Sequence, residues 1–183
     1  MTRYIALLRG VNVGGRNKVA MPDLRALFEG LGHTDVATYI NSGNVVFTSG
    51  TPELDQLQLA AAVEAELARR LGVEVAVIVR SSDEVTDAVQ ANPFPDADPS
   101  RLLIMFLAQA PDRAAIDQVA AVESGRDESR VIGTNLFLHF PDGVGKSKLW
   151  ASVGDRIGVV GTARNLRTVR RLLEMARTAE TGE

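Results

Sequence analysis

The 183-residue sequence predicts an α+β protein built from two βαββαβ units in tandem, followed by a C-terminal helix. Three observations predict it. Short apolar runs alternate with amphipathic stretches in the order strand, helix, strand, strand, helix, strand. The pair Pro22-Asp23 recurs as Pro111-Asp112, and Ile40-Asn41-Ser42-Gly43-Asn44-Val45 is answered at nearly the same offset by Val131-Ile132-Gly133-Thr134-Asn135-Leu136, as an internal duplication requires. Between the copies, Asn92-Pro93-Phe94-Pro95 and Asp98-Pro99 make a stiff break, because a residue before proline is pushed out of helical space. The expected organisation is a first unit at 1–80, a connecting helix and proline-rich linker at 81–100, and a second unit with a basic terminal helix at 101–183.

Each element has a local cause. Residues 4–11 are mostly apolar and read as a strand buried on both faces, and a glycine-rich, basic loop follows over 10–20. Pro22 suits a first helical turn, Leu24, Leu27, Phe28 and Leu31 share one helical face, and Gly32 stops the helix. Residues 36–40 and 44–47 form a hairpin around Asn41-Ser42-Gly43, where Gly43 can take positive φ. Thr51 and Pro52 can open a long helix with Leu59, Val63, Leu67 and Leu71 in a stripe; Gly72 ends it and a strand follows over 75–79. Residues 82–91 make a short helix. In the second copy, strands are expected at 102–108, 130–132 and 135–140, with a helix opening at Pro111-Asp112. A short helix near 147–153 and a strand at 157–161 carry weaker signals, and a final helix from Ala163 to about Thr178 sets Leu166, Val169, Leu172, Leu173 and Ala176 opposite arginines.

Composition bounds the function. The 45% hydrophobic and 23% charged content is that of a packed protein. With no cysteine there is no disulfide, thiolate zinc site or cysteine nucleophile, which fits a cytoplasmic location. No stretch approaches the roughly 20 apolar residues of a membrane span, so no membrane partner is expected. A net charge of -3 opposes indiscriminate binding to a phosphate backbone. Two histidines, His33 and His139, give no basis for a metal site, and no cofactor is expected.

The segments Leu7-Leu8-Arg9-Gly10-Val11-Asn12-Val13-Gly14-Gly15-Arg16-Asn17-Lys18, Tyr39-Ile40-Asn41-Ser42-Gly43-Asn44-Val45-Val46-Phe47, Lys146-Ser147-Lys148-Leu149 and Thr162-Ala163-Arg164-Asn165 occur in this order. Together they resemble the bacterial family named domain of unknown function 1697. The resemblance implies a ferredoxin-like α+β fold in two halves and brings no established reaction. Leu166 departs from it, standing where the family usually carries tryptophan.

The loop at 10–18 combines three glycines, basic side chains and backbone amides, the ingredients of an anion nest. It matches neither GxGxxG nor GxxxxGK[ST]. The run Gly145-Lys146-Ser147 fails the second pattern as well, because its first glycine would fall on Phe140. Lys146, Ser147 and Lys148 open one helix and Thr162 with Arg164 another, where unpaired amides can hold an anion; plain capping by Ser147 and Thr162 explains the hydroxyls equally well. Sheet order 4-1-3-2 in each unit brings 10–18 beside 41–44, and Lys146 to Lys148 beside 161–165. Two polar clusters follow. One contains Arg9, Asn12, Gly14, Gly15, Arg16, Lys18, Asn41, Ser42 and Asn44; the other contains Lys146, Ser147, Lys148, Thr162, Arg164 and Asn165.

The expected role is binding of a small anionic ligand, phosphate-bearing or nucleotide-like. The first rival is an enzyme on a phosphorylated or nucleotide substrate, with Arg16, Lys18, Lys146 and Arg164 stabilising developing charge; no general base stands out. A nucleic-acid-binding module is the second rival. It is disfavoured because Tyr4, Phe47, Phe106, Phe137 and Phe140 lack the glycine-aromatic pattern of RNA-binding sheets. The third is a structural or interaction protein. Neither the ligand's identity nor an oligomeric state is written in the sequence.

Overall fold

The computed structural model describes residues 2–178. The elements in chain order are β1 (Arg3–Leu8), α1 (Met21–Gly30), β2 (Thr34–Tyr39), β3 (Asn44–Thr48), α2 (Gln56–Leu71), β4 (Val77–Ser81), α3 (Ser82–Gln90), β5 (Leu102–Leu107), α4 (Arg113–Ala120), β6 (Glu128–Ile132), β7 (Asn135–His139), a 3-10 turn (Val144–Lys146), α5 (Lys148–Arg156), β8 (Gly161–Asn165) and α6 (Leu166–Thr178). They form two four-stranded antiparallel sheets, ordered β2-β3-β1-β4 and β6-β7-β5-β8, which is the expected 4-1-3-2 order twice. The described residues divide into two compact units, 2–86 with 171–178, and Asp87–Arg170. No described helix is long and apolar enough to cross a membrane.

Each unit has its own core. In the first, Ala6, Leu8, Val45, Phe47, Val77 and Val79 point from one sheet face into Leu24, Leu27 and Phe28 of α1 and Leu59, Val63 and Leu67 of α2. In the second, Met105, Leu107, Leu136 and Leu138 meet Val119 of α4 and Leu149 and Val153 of α5. The opposite sheet faces are buried too, through Ile5, Leu7, Val46 and Ile78 in one unit and Ile104, Phe106 and Phe137 in the other. Burial on both faces explains why β1 and β5 read as continuous apolar runs instead of alternating ones.

The duplication reaches individual hydrogen bonds. Leu8 N–H donates to Gly43 O and Leu107 N–H to Thr134 O, each at 2.9 Å. Arg9 N–H donates to Ala76 O at 2.9 Å and Ala108 N–H to Val160 O at 2.8 Å. In both units the strand after the second long loop carries an arginine on its buried face: Arg80, paired in register with Ile5, and Arg164, paired with Ile104.

Three boundaries differ from expectation. The second helix starts at Gln56, five residues after Thr51, because Asp55 and Gln58 form a reciprocal capping box at that point. The last strand lies at Gly161–Asn165 and not at 157–161, since Ile157 caps α5 and is spent on the second core. The final helix consequently begins at Leu166 and not at Ala163.

Candidate functional site

The connection after β1 is the part of the first unit that the second unit lacks. Residues 9–20 join β1 to α1, whereas 108–112 suffice between β5 and α4. The longer connection is a small hairpin. Val13 and Arg16 form an antiparallel bridge, Arg16 N–H donates to Val13 O at 3.1 Å, and Gly14 and Gly15 sit between them with φ of 58° and 76°. Two successive positive φ values define the turn type whose twist matches a hairpin, and glycine adopts them without strain.

Asn12 pins this hairpin down. Its Nδ2 donates to Val19 O at 2.8 Å and to Asn41 O at 2.7 Å, and its Oδ1 accepts from Val19 N–H at 2.9 Å. The loop thus lies beside the 41–44 turn, as the topology argument required. That turn is itself braced, because Asn44 is fully buried and its Nδ2 donates to Tyr39 O at 3.0 Å and Ser42 Oγ at 2.9 Å. Gly43 is held so close to β1 that a Cβ there would stand 2.5 Å from Val11 Cγ2. Asn12, Ser42 and Asn44 therefore shape the site. The exposed groups are Arg9, Arg16, Lys18 and Asn41, and the side chains of Arg9, Arg16 and Lys18 make no hydrogen bond or ion pair among the described residues. Exposed Val13 and Ile40 flank them; Ile40 has φ 48°, a strained conformation for a β-branched residue.

The second group of sequence-selected residues separates into two places. Lys146, Ser147 and Lys148 line a concavity of about 610 Å³ with Glu123, Arg126, Asp127 and Asp142. Ser147 caps α5 by accepting from Trp150 N–H at 2.9 Å. The side chain of Asp142 is taken by Arg126, whose guanidinium holds the carboxyl below the usual carboxylate range. Thr162, Arg164 and Asn165 are elsewhere. β7 and β8 finish at the same end of the sheet, but Thr162 and Arg164 stand in register with Phe106 and Ile104, on the face opposite the one that Leu149 and Val153 of α5 cover. Arg164 is buried in the sheet face, donating to Thr162 Oγ1 and Ala163 O, both at 2.8 Å, and burial pushes it down to about 10. Asn165 Oδ1 accepts from Thr168 N–H at 2.8 Å and so starts α6.

The family described as "Protein of unknown function (DUF1697)" matches residues 1–137. The chain belongs to this family. Among solved structures, a conserved bacterial protein from Streptococcus pneumoniae is similar to it, with 26% identity, a TM-score of 0.72, and coverage of 96% of this chain and 98% of the other. No curated protein matches the chain.

For this DUF1697 chain, the structure adds residues that sequence reasoning passed over. Arg126 joins Lys146 and Lys148 around their concavity, and Arg80 is the first-unit counterpart of Arg164, with burial pushing its pKa down as well. The strings Val79-Arg80-Ser81 and Ala163-Arg164-Asn165 carried that second signal in plain sight. A second concavity, of about 470 Å³, brings Phe94 and Arg101 against His139, whose Nδ1 lies 3.2 Å from Glu128 Oε2. Among the described residues, no group of three or more His, Cys, Asp or Glu side chains could hold a metal ion.

Proposed function

We propose that this DUF1697 protein binds a small anionic ligand, phosphate-bearing or nucleotide-like, on the hairpin loop after β1. The single observation that carries this is the asymmetry of the duplication. The same scaffold is built twice, but only the first copy spends twelve residues, 9–20, where the second closes the gap with 108–112. Closure of the fold does not need the extra residues. They present Arg9, Arg16 and Lys18 unpaired, on a turn whose geometry is fixed by Asn12 and by two adjacent glycines. Cations carried on a fixed turn beside exposed backbone amides bind an anion with little backbone ordering cost at the moment of binding.

The test uses the whole chain with inorganic pyrophosphate. Ligand at about 100 times its Kd stabilises the native state by about 2.7 kcal/mol, a rise in Tm of about 5–10 °C for a chain of this size. The double variant Arg16→Glu, Lys18→Glu is expected to lose the rise, whereas Lys146→Glu, Lys148→Glu keeps it. An unchanged rise in the first variant refutes the assignment to the hairpin.

A further inference from the structure

We propose that the cavity formed by Pro93, Phe94, Pro95, Arg101, His139 and Pro141 binds a flat, amino-bearing heterocycle of the nucleobase class. Its volume, about 470 Å³, falls within the roughly 300–1,000 Å³ of small-molecule sites. The walls are planar. The Phe94 and His139 rings lie 5.6 Å apart, inclined by 36°, and three proline rings complete the surface. Because the two aromatic rings already touch, a ligand ring lies on them and not between them, in the offset arrangement that aromatic faces prefer.

The walls are also fixed in advance. Phe94 stands between two prolines, and the Asn92 side chain brackets it, accepting from Phe94 N–H at 3.0 Å and donating to Phe94 O at 3.2 Å. Ala97 N–H donates to the same carbonyl at 3.1 Å. On the facing side, the contact of His139 Nδ1 with Glu128 Oε2 orients the imidazole and leaves Nε2 as its available nitrogen. Arg101 donates to Pro141 O at 3.0 Å, which holds its guanidinium at the rim. A proline-rich linker needs none of this bracketing merely to join two units.

The polar groups select the ligand. Asp96 and Asp98 line the cavity with carboxylates, and Asp96 makes no hydrogen bond among the described residues. Asp98 Oδ1 accepts from Ser100 N–H and Oγ–H, both at 2.7 Å, which holds the group ionised and leaves Oδ2 to accept further. Two carboxylate acceptors call for an amine on the ligand, whose two N–H groups can meet both. The remaining Arg101 N–H groups can meet a ring nitrogen or carbonyl.

The experiment follows the imidazole and Phe94 ring signals by NMR in the full chain during titration with adenosine, and with inosine, in which a carbonyl replaces the amine. Adenosine is expected to shift His139 and Phe94 saturably and to bind at least about fivefold tighter than inosine, since carboxylates that accept from the amine repel the carbonyl that replaces it. His33, the only other histidine, serves as the unmoved control. Phe94→Ala should weaken adenosine at least about tenfold, and Asp96→Asn, at an exposed side chain with no structural bond, should bring adenosine down toward inosine. The variant Arg16→Glu, Lys18→Glu should bind adenosine unchanged, which separates this site from the hairpin. No saturable shift of His139, or inosine binding as tightly as adenosine, overturns the proposal.

Discussion

His33 follows the loop after α1 and is almost fully buried, with its ring 4.7 Å from that of Phe47 and 5.9 Å from that of Phe28. Its Nδ1 accepts from Gly50 N–H at 3.3 Å, and its Nε2 is buried without a partner. An imidazole that accepts a backbone hydrogen bond is neutral, and burial pushes its pKa below the usual 6.5. The unfolded chain then binds a proton more readily than the folded one between those two values. Stability from this group is complete above about pH 6.5 and is lost as pH falls through the folded-state pKa, at up to about 1.4 kcal/mol per pH unit. Urea unfolding at pH 7.5 and at steps down to pH 5 should show this loss in the wild type and a flatter profile in His33→Phe; identical slopes would remove His33 as its source.

At the scale of elements, the hairpin depends on one side chain. Asn12→Ala deletes three hydrogen bonds, leaves N–H and O of buried Val19 unpaired, and puts alanine at φ 56°, where asparagine is tolerated better. The cost should be about 1–3 kcal/mol by chemical denaturation, with faster proteolysis confined to residues 9–20 and weaker pyrophosphate binding. A variant as stable and as resistant as the wild type would show that the loop is held by other means. The placement of this loop beside 41–44 was legible from the sequence, because the flanking strands are strongly apolar and the sheet order follows from the βαββαβ pattern. Its internal pinning was not, since an asparagine in a glycine-rich loop looks the same whether it binds a ligand or its own backbone. The strand Gly161–Asn165 was illegible for another reason. It has polar Thr162 and Arg164 on a buried face, so no apolar period marks it, and the neighbouring Ile157 and Val159 drew the reading toward the preceding loop. The residue pattern alone therefore groups Arg164 with the surface cations, whereas the side chain is buried.

At the scale of the whole molecule, the duplication allows an internal control that an unrepeated fold could not supply. Strand, turn and helix are arranged alike on both sides of the two connections, and the bonds from Leu8 and Arg9 correspond one for one to those from Leu107 and Ala108. Replacing residues 9–20 by the sequence of 108–112 should therefore close the first unit as it closes the second. The replacement removes buried Val11 and Val19 from the first core, at roughly 1.5–3 kcal/mol each. With about 2–4 °C per kcal/mol for a chain of this length, Tm should fall by about 6–24 °C while unfolding stays cooperative. The circular dichroism spectrum should keep its helix and strand content, and the pyrophosphate-induced rise in Tm should vanish. A chimera that folds and still responds to pyrophosphate would locate the anion site outside the inserted hairpin, whereas a chimera that cannot fold would mean that the insertion belongs to the scaffold after all and that its absence from the second copy is compensated there.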